Sequence, residues 1–165
     1  MKTTATNTAK KTTAPATGGK IAVIRMKGKF SLAPDIRTTL SKLRLGRLYM
    51  CTIIPQNEFS KGMLQMCKDV VAFGAIETDT VALLLQKRGH TVEGKKLSLV
   101  KKPEEISKLA SEYVSSGKKL EDFGVKSIFF LAPPHGGFGG SRKAHAPEGP
   151  LGKNPEIVDL ISRMA

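Results

Sequence analysis

The 165-residue sequence has no tryptophan, few aromatic residues and only two cysteines. Cys51 and Cys67 fit neither a C-x-x-C motif nor a disulfide scaffold, so we interpret both as small buried hydrophobic residues in a reducing, cytoplasmic setting. No apolar run approaches the roughly 18 residues that a membrane-spanning helix needs. The Lys/Thr/Ala-rich start also lacks the apolar block of a secretory signal. We therefore expect neither a membrane protein nor a secreted one.

Recognisable motifs for catalysis, metal binding and nucleotide binding are missing from the sequence. G-x-x-x-x-G-K-[ST] does not occur, and no G-x-G-x-x-G stands between a predicted strand and a predicted helix. His135 and His145 have no cysteine or carboxylate at zinc-ligand spacing. We predict no enzyme activity, no catalytic residue, no metal site and no cofactor. A small-molecule enzyme that uses a Gly-rich loop as an anion site is the alternative.

The sequence does contain a large excess of positive charge, which is concentrated in its first third. The 27 lysines and arginines outnumber 14 acidic residues, giving a formal net charge of +13. Residues 1–47 hold 11 basic side chains and one acid, whereas residues 48–134 hold 12 and 10. A localised positive field favours a polyanion. Nucleic acid fits best, because each neutralised phosphate releases counterions, and the start of the chain lacks the apolar face that membrane binding requires.

Hydrophobic periodicity and turn residues predict a mixture of strands and helices. Strands are expected at 21–27, 48–54 and 127–132, the last of them buried on both faces. Capping residues, prolines and terminal glycines predict helices that begin at Pro34, near Ser60, at Thr78 or Asp79, at Pro103 and at Asn154-Pro155-Glu156. We expect a single domain over residues 21–165, with a helical insertion at about 76–125. Residues 1–20 are expected to form a basic tail that is disordered alone or ordered on RNA.

A long Gly- and Pro-rich loop is expected at about 133–153, between the last strand and the last helix. Long loops in compact domains are usually functional or disordered, and this one is tied down at both ends. Aromatic and arginine surfaces stack on exposed bases while basic groups hold phosphate, so the mixture suits RNA. A solvated Gly-rich excursion is the alternative. The loop's candidates for RNA contact are His135, Gly136, Gly137, Phe138, Arg142, Lys143 and His145.

Basic residues nearer the start supply the other candidates for RNA contact. A helix N-terminus beside a lysine attracts phosphate, which makes Lys61 and Gly62 candidates, although close packing of Gly62 against a strand is equally consistent with the pattern. The basic face of the first strand and helix, together with the tail, is expected to bind phosphate. These candidates are Lys10, Lys11, Lys20, Arg25, Lys27, Lys29, Arg37, Arg44 and Arg47.

Taken in order, these motifs resemble the large-subunit ribosomal protein family that is numbered thirty in bacteria and archaea and seven in eukaryotes. The similar stretches are 22–28, 43–47, 61–64, the helix end at Gly89, 130–138 and the closing helix 157–164. The extra helices and the Gly-rich loop resemble the archaeal and eukaryotic branch. The resemblance implies an α+β fold with a ferredoxin-like β-α-β-α-β core and a three-stranded antiparallel sheet of order 3-1-2.

The same resemblance implies a structural role in the cytoplasmic large ribosomal subunit. The expected partners are large-subunit ribosomal RNA, near the 5S rRNA, and neighbouring ribosomal proteins, with no membrane and no small-molecule substrate. Carried over by position, Arg25, Lys27, Arg44, Arg47, Lys61 and the loop from His135 to Lys143 become RNA contacts. A free-standing RNA-binding module or a ribosome assembly factor has the same chemistry and is the alternative.

Overall fold

The computed structural model describes residues 19–30, 32–116, 118–138 and 140–165, so the predictions for Lys10, Lys11 and most of the tail lie outside it. Its strands are β1 (Lys20–Arg25), β2 (Met50–Pro55), β3 (Val71–Ile76), β4 (Ile128–Phe130) and β5 (Gly152–Lys153). Its helices are α1 (Pro34–Lys42), α2 (Glu58–Cys67), α3 (Thr78–Arg88), α4 (Leu97–Val100), α5 (Pro103–Ser115) and α6 (Ile157–Met164), and a short 3-10 helix covers Leu120–Phe123.

The strands form one sheet in the order β4-β2-β1-β3-β5, with β1 at its centre. β1 is antiparallel to both β2 and β3, so the β1-α1-β2-α2-β3 segment has the predicted ferredoxin-like order. β4 adds to β2 in antiparallel fashion, and β5 adds to β3 in parallel. The α+β fold class is thus confirmed, while the sheet has five strands rather than three.

The third strand of the core is not the one that the sequence pattern indicated. Residues 127–132 contribute only the edge strand β4, in which Phe129 is buried but Phe130 is 49% exposed, so the expectation of burial on both faces is wrong. The true core strand β3 follows α2 after a short turn. The pattern missed it because Val70 continues the helical spacing of α2, and because Gly74 is atypical of a strand interior.

Helices cover both faces of the sheet, which buries β1 along its whole length. Ile21 and Val23 face a core completed by α1 and α2. Ala22 and Ile24 face a second core that α3, α5 and α6 complete. The two cysteines lie one in each core and are buried, as predicted, and burial raises the pKa of the Cys51 thiol to about 12. Because helices cover both of its faces, the sheet itself can contribute only its strand ends and connecting loops to a binding surface.

A substitution at Gly74 tests how β3 packs against the turn before α6. A Cβ atom there would lie 2.5 Å from the Asn154 carbonyl oxygen and 2.7 Å from Ile157 Cγ2. We expect Gly74→Ala to lower the free energy of unfolding by about 1–3 kcal/mol through overpacking. The matched change Gly62→Ala, in α2 with nothing within 4 Å, should raise it by about 0.5–1 kcal/mol. Urea unfolding of both variants measures these changes. Equal unfolding free energies for Gly74→Ala and Gly62→Ala would contradict this account.

Candidate nucleic-acid interface

Arg25, the last residue of β1, holds two loops together with a buried guanidinium. The residue is 4% exposed. Its Nε donates to the Lys27 carbonyl at 2.8 Å and its Nη2 to the Gly28 carbonyl at 3.0 Å. Its Nη1 donates to the carbonyls of Leu45 at 2.7 Å and Gly46 at 3.0 Å. The β1–α1 loop and the α1–β2 loop are therefore fixed side by side at the end of the sheet where β1 ends.

These hydrogen bonds correct the predicted role of Arg25, and burial likewise corrects that of Lys20. Four of the five N–H donors of the Arg25 guanidinium are used by main-chain carbonyls, so this side chain is a positioning group rather than a phosphate contact. Lys20 is 5% exposed, and its Nζ lies 4.4 Å from the centre of the Tyr113 ring in α5. Burial lowers the pKa of the Lys20 ammonium. Neither side chain presents its charge to solvent.

The loops that Arg25 joins, residues 27–30 and 43–49, form a surface that we call the basic edge. Lys29 and Arg47 are exposed there, and Lys27 is half-buried. α1 ends at Lys42, so Arg44 belongs to the loop rather than to the helix face on which the spacing placed it. Its side chain forms an ion pair with Glu121 and donates to Ser127 Oγ at 3.1 Å. The hydrogen bond from Arg44 lowers the pKa of the Glu121 carboxyl.

Tyr49 connects the Gly-rich loop to the basic edge. Its backbone N–H donates to the Arg25 carbonyl at 2.9 Å, and its own carbonyl accepts from the Leu131 N–H at 3.1 Å. Its ring stacks on Phe138 with the centroids 6.4 Å apart, and its hydroxyl lies 3.5 Å from Arg142 Nη1. The structure thus brings the basic loops and the Gly-rich loop, two separately predicted sites, onto one end of the sheet.

Contacts to two further residues, Asp69 and Arg163, also anchor the Gly-rich loop. His145 Nε2 lies 2.9 Å from Asp69 Oδ1, in the turn between α2 and β3. Arg163 Nη1 donates to the Gly137 carbonyl at 2.9 Å, while the Arg163 carbonyl accepts from the His135 N–H at 3.1 Å. Gly137 has φ +78°, a left-handed conformation that favours glycine in the turn. A loop held from three sides is a defined element rather than a solvated excursion.

Residues of the Gly-rich loop differ in what they offer to a ligand. Phe138 is half-buried because it packs on the core beside Tyr49, so much of its surface is already covered. The remaining candidates are exposed, and they are His135, Gly136, Gly137, Arg142, Lys143 and His145. The loop therefore offers basic groups and backbone more than an open aromatic face.

The structure does not bring Lys61 and Gly62 to the basic edge. α2 begins at Glu58, shortly after β2 ends, and Pro55 at that end pairs with Lys20 at the far end of β1. The sequence predicted an open helix N-terminus at Lys61. The structure contradicts this, because the Lys61 N–H donates to the Asn57 carbonyl at 3.0 Å. The alternative for Gly62, close packing against a strand, is also wrong, because nothing lies within 4 Å of a Cβ there. Lys61, Gly62 and Arg37 of α1 are exposed.

Sequence reasoning missed the residues that assemble the site, namely Tyr49, Asp69 and Arg163. Tyr49 and Phe138 lie far apart in the chain, and periodicity reports only local structure. For Arg163 the sequence held only a weak indication of a structural role, namely its place as a basic residue in the last turn of a helix. Within the described ranges, no group of three or more His, Cys, Asp or Glu side chains is placed to hold a metal ion. In the same ranges, no helix combines the length and the apolar composition that a transmembrane segment requires.

Comparisons with known proteins give one family. The sequence model described as Ribosomal protein L30p/L7e matches residues 21–71, which include Arg25, Tyr49 and Asp69. Large ribosomal subunit protein uL30 of Methanothrix thermoacetophila is 35% identical over 148 residues, covering 87% of this chain and 98% of the relative. The uL30 proteins of Methanococcus maripaludis and Archaeoglobus fulgidus are 37% and 39% identical. Those matches cover 87% and 85% of this chain, and 97% and 95% of the relatives.

Arg25→Met tests whether the guanidinium holds the two loops. The variant keeps an apolar stem but leaves the buried Leu45 carbonyl and three part-buried carbonyls without this donor. Each buried group that stays unsatisfied costs about 1–3 kcal/mol. We expect the free energy of unfolding to fall by about 2–4 kcal/mol. The control Arg47→Met, at an exposed position of the same surface, should change it by less than about 0.5 kcal/mol. Urea unfolding measures both, and a stable Arg25→Met variant would refute the role of Arg25.

Proposed function

The chain belongs to the uL30 family of large ribosomal subunit proteins, and from that membership we propose that it binds large-subunit ribosomal RNA through the basic edge and the adjoining Gly-rich loop. Phosphate contacts supply the affinity, while the fixed shape of the two loops supplies the specificity. The protein acts as a structural, non-catalytic constituent of the subunit. Its cytoplasmic location, the neighbourhood of the 5S rRNA and contacts to adjoining ribosomal proteins are parts of the same proposal.

One observation carries the proposal: exposed cations from two distant parts of the chain meet at one end of the sheet. Lys29 and Arg47 come from the loops that Arg25 holds, and Arg142 comes from the loop that Tyr49 holds. Lys143 follows in the same loop and is exposed. Because the backbone of these loops is already held in place, phosphate binding needs to order only the side chains. The arrangement therefore suits a folded RNA surface.

The remaining candidates extend this contact. We propose that Lys10 and Lys11, in the basic tail of residues 1–20, reach RNA beyond the domain of residues 21–165, whose helical insertion spans about 76–125. Arg37, Lys61 and Gly62 lie exposed on α1 and α2. The open space at Gly62 leaves room for a backbone or base from outside the chain. These residues form a second, smaller contact.

The salt dependence of RNA binding tests the distributed phosphate contact. If about eight phosphates are neutralised, the logarithm of the binding constant should fall against the logarithm of salt concentration with a slope of about −6 to −7. Arg47→Ala and Arg142→Ala should each make the slope shallower by about 0.7–0.9. Lys108→Ala, at an exposed position of α5 outside the candidate set, should not change it. A wild-type slope near −1 would contradict the proposal.

Cosedimentation tests stable residence in the large subunit. We expect the full chain to stay on large subunits through a high-salt wash, because many simultaneous contacts slow dissociation. The Arg47→Ala/Arg142→Ala double variant should be released at lower salt, while Lys108→Ala should behave like the wild type. Release of the wild-type chain at moderate salt would instead indicate an assembly factor or a free-standing RNA-binding module.

A further inference from the structure

Phe30 is the most exposed large hydrophobic side chain in the part of the chain that the structure describes. It is 93% exposed and lies in the loop that follows β1. Burying a phenylalanine side chain stabilises a folded protein by about 1.5–3 kcal/mol. The exposed Phe30 ring does not contribute this stabilisation to the fold. Single exposed hydrophobic residues are common and need no explanation by themselves. Phe30 indicates a binding partner because of its position next to basic residues on loops that are held in place.

The surroundings of Phe30 are rigid at their base and positively charged. Arg25 binds the carbonyls of Lys27 and Gly28, which fixes the start of the loop, and the next two residues are Lys29 and Phe30. The same guanidinium binds the Gly46 carbonyl, which places Arg47 on the adjoining loop. Neither loop segment, 27–30 or 43–49, contains an acidic residue. An anionic partner with an apolar, flat surface fits this combination best.

An unpaired nucleotide has both properties, since a base offers a π-face and its phosphate a negative charge. Phe138, the aromatic residue that the sequence pattern favoured for stacking, is half-buried against Tyr49. Phe30 is the exposed aromatic at the basic edge. We propose that the Phe30 ring stacks on an unpaired base of the ribosomal RNA while Lys27 and Lys29 bind the flanking phosphates. This inference rests on the proposed function of the basic edge.

Stacking and phosphate binding make different contributions, which allows a direct test. Stacking on one base is worth about 1–3 kcal/mol, which corresponds to about 5- to 150-fold in affinity, and it releases no counterions. In equilibrium binding of the full chain to deproteinised large-subunit rRNA, Phe30→Ala should therefore weaken affinity by that factor with an unchanged salt slope. Lys29→Ala should make the slope shallower by about 0.7.

Three further variants separate stacking from other roles of the ring. Phe30→Trp keeps an aromatic face and should bind like the wild type, whereas Phe30→Leu keeps only apolar bulk and should bind like Phe30→Ala. Leu99→Ala is the control for loss of an exposed hydrophobic side chain, because Leu99 is 82% exposed on α4 and lies in none of the loops or helices proposed to bind RNA. It should leave affinity unchanged. Unfolding free energies of all the variants should agree within about 0.5 kcal/mol, because both side chains are exposed.

The outcomes show separately whether base stacking by Phe30 fails or whether RNA binding by the basic edge fails. Unchanged affinity in Phe30→Ala, with a steep salt slope retained, overturns stacking alone. Wild-type affinity in Phe30→Leu also overturns it, and indicates an apolar contact with the RNA that needs no aromatic face. Weak wild-type binding with a slope near −1 overturns the proposed function itself.

Discussion

The structure depends on one buried charge, the guanidinium of Arg25. A buried charge is costly unless it is hydrogen-bonded, and here four main-chain carbonyls at 2.7–3.0 Å accept four of the five guanidinium N–H groups. Because those carbonyls belong to two different loops, the same bonds that make the charge tolerable also fix the geometry of the basic edge. Lys29, Phe30 and Arg47 are thereby displayed on a frame that the sheet supports.

The covered sheet explains why the interface that we propose lies at its end. Both faces of β1 are buried in separate cores, so the scaffold offers strand ends and loops to a partner. Tyr49 then joins the Gly-rich loop to this end through its ring and its hydroxyl, and its carbonyl accepts from Leu131 just before that loop. Asp69, in the turn after α2, and Arg163, in α6, hold the same loop. The result is one continuous surface built from three loops.

Local signals in the sequence predicted the elements they control directly. Pro34 and Pro103 both stand at the first turn of a helix, and the apolar runs near Ile21 and Leu48 indicated β1 and β2. The sequence did not reveal β3, since Val70 reads as helical and Gly74 fits only because it packs against Asn154 and Ile157. Counting charges located the basic region, yet it did not distinguish exposed Arg47 from Arg25, whose donors are used internally. Contacts across long separations, such as Tyr49 with Phe138, leave no local pattern.

A density map of the large ribosomal subunit containing this chain is the most direct test of the central claim, that buried Arg25 displays a basic edge which binds ribosomal RNA. The account predicts rRNA phosphates within about 4 Å of the Lys29, Arg47 and Arg142 side chains. It also predicts that the Arg25 guanidinium stays on its four carbonyls. A map in which the basic edge faces solvent or protein, or in which Arg25 turns outward to a phosphate, would contradict the account.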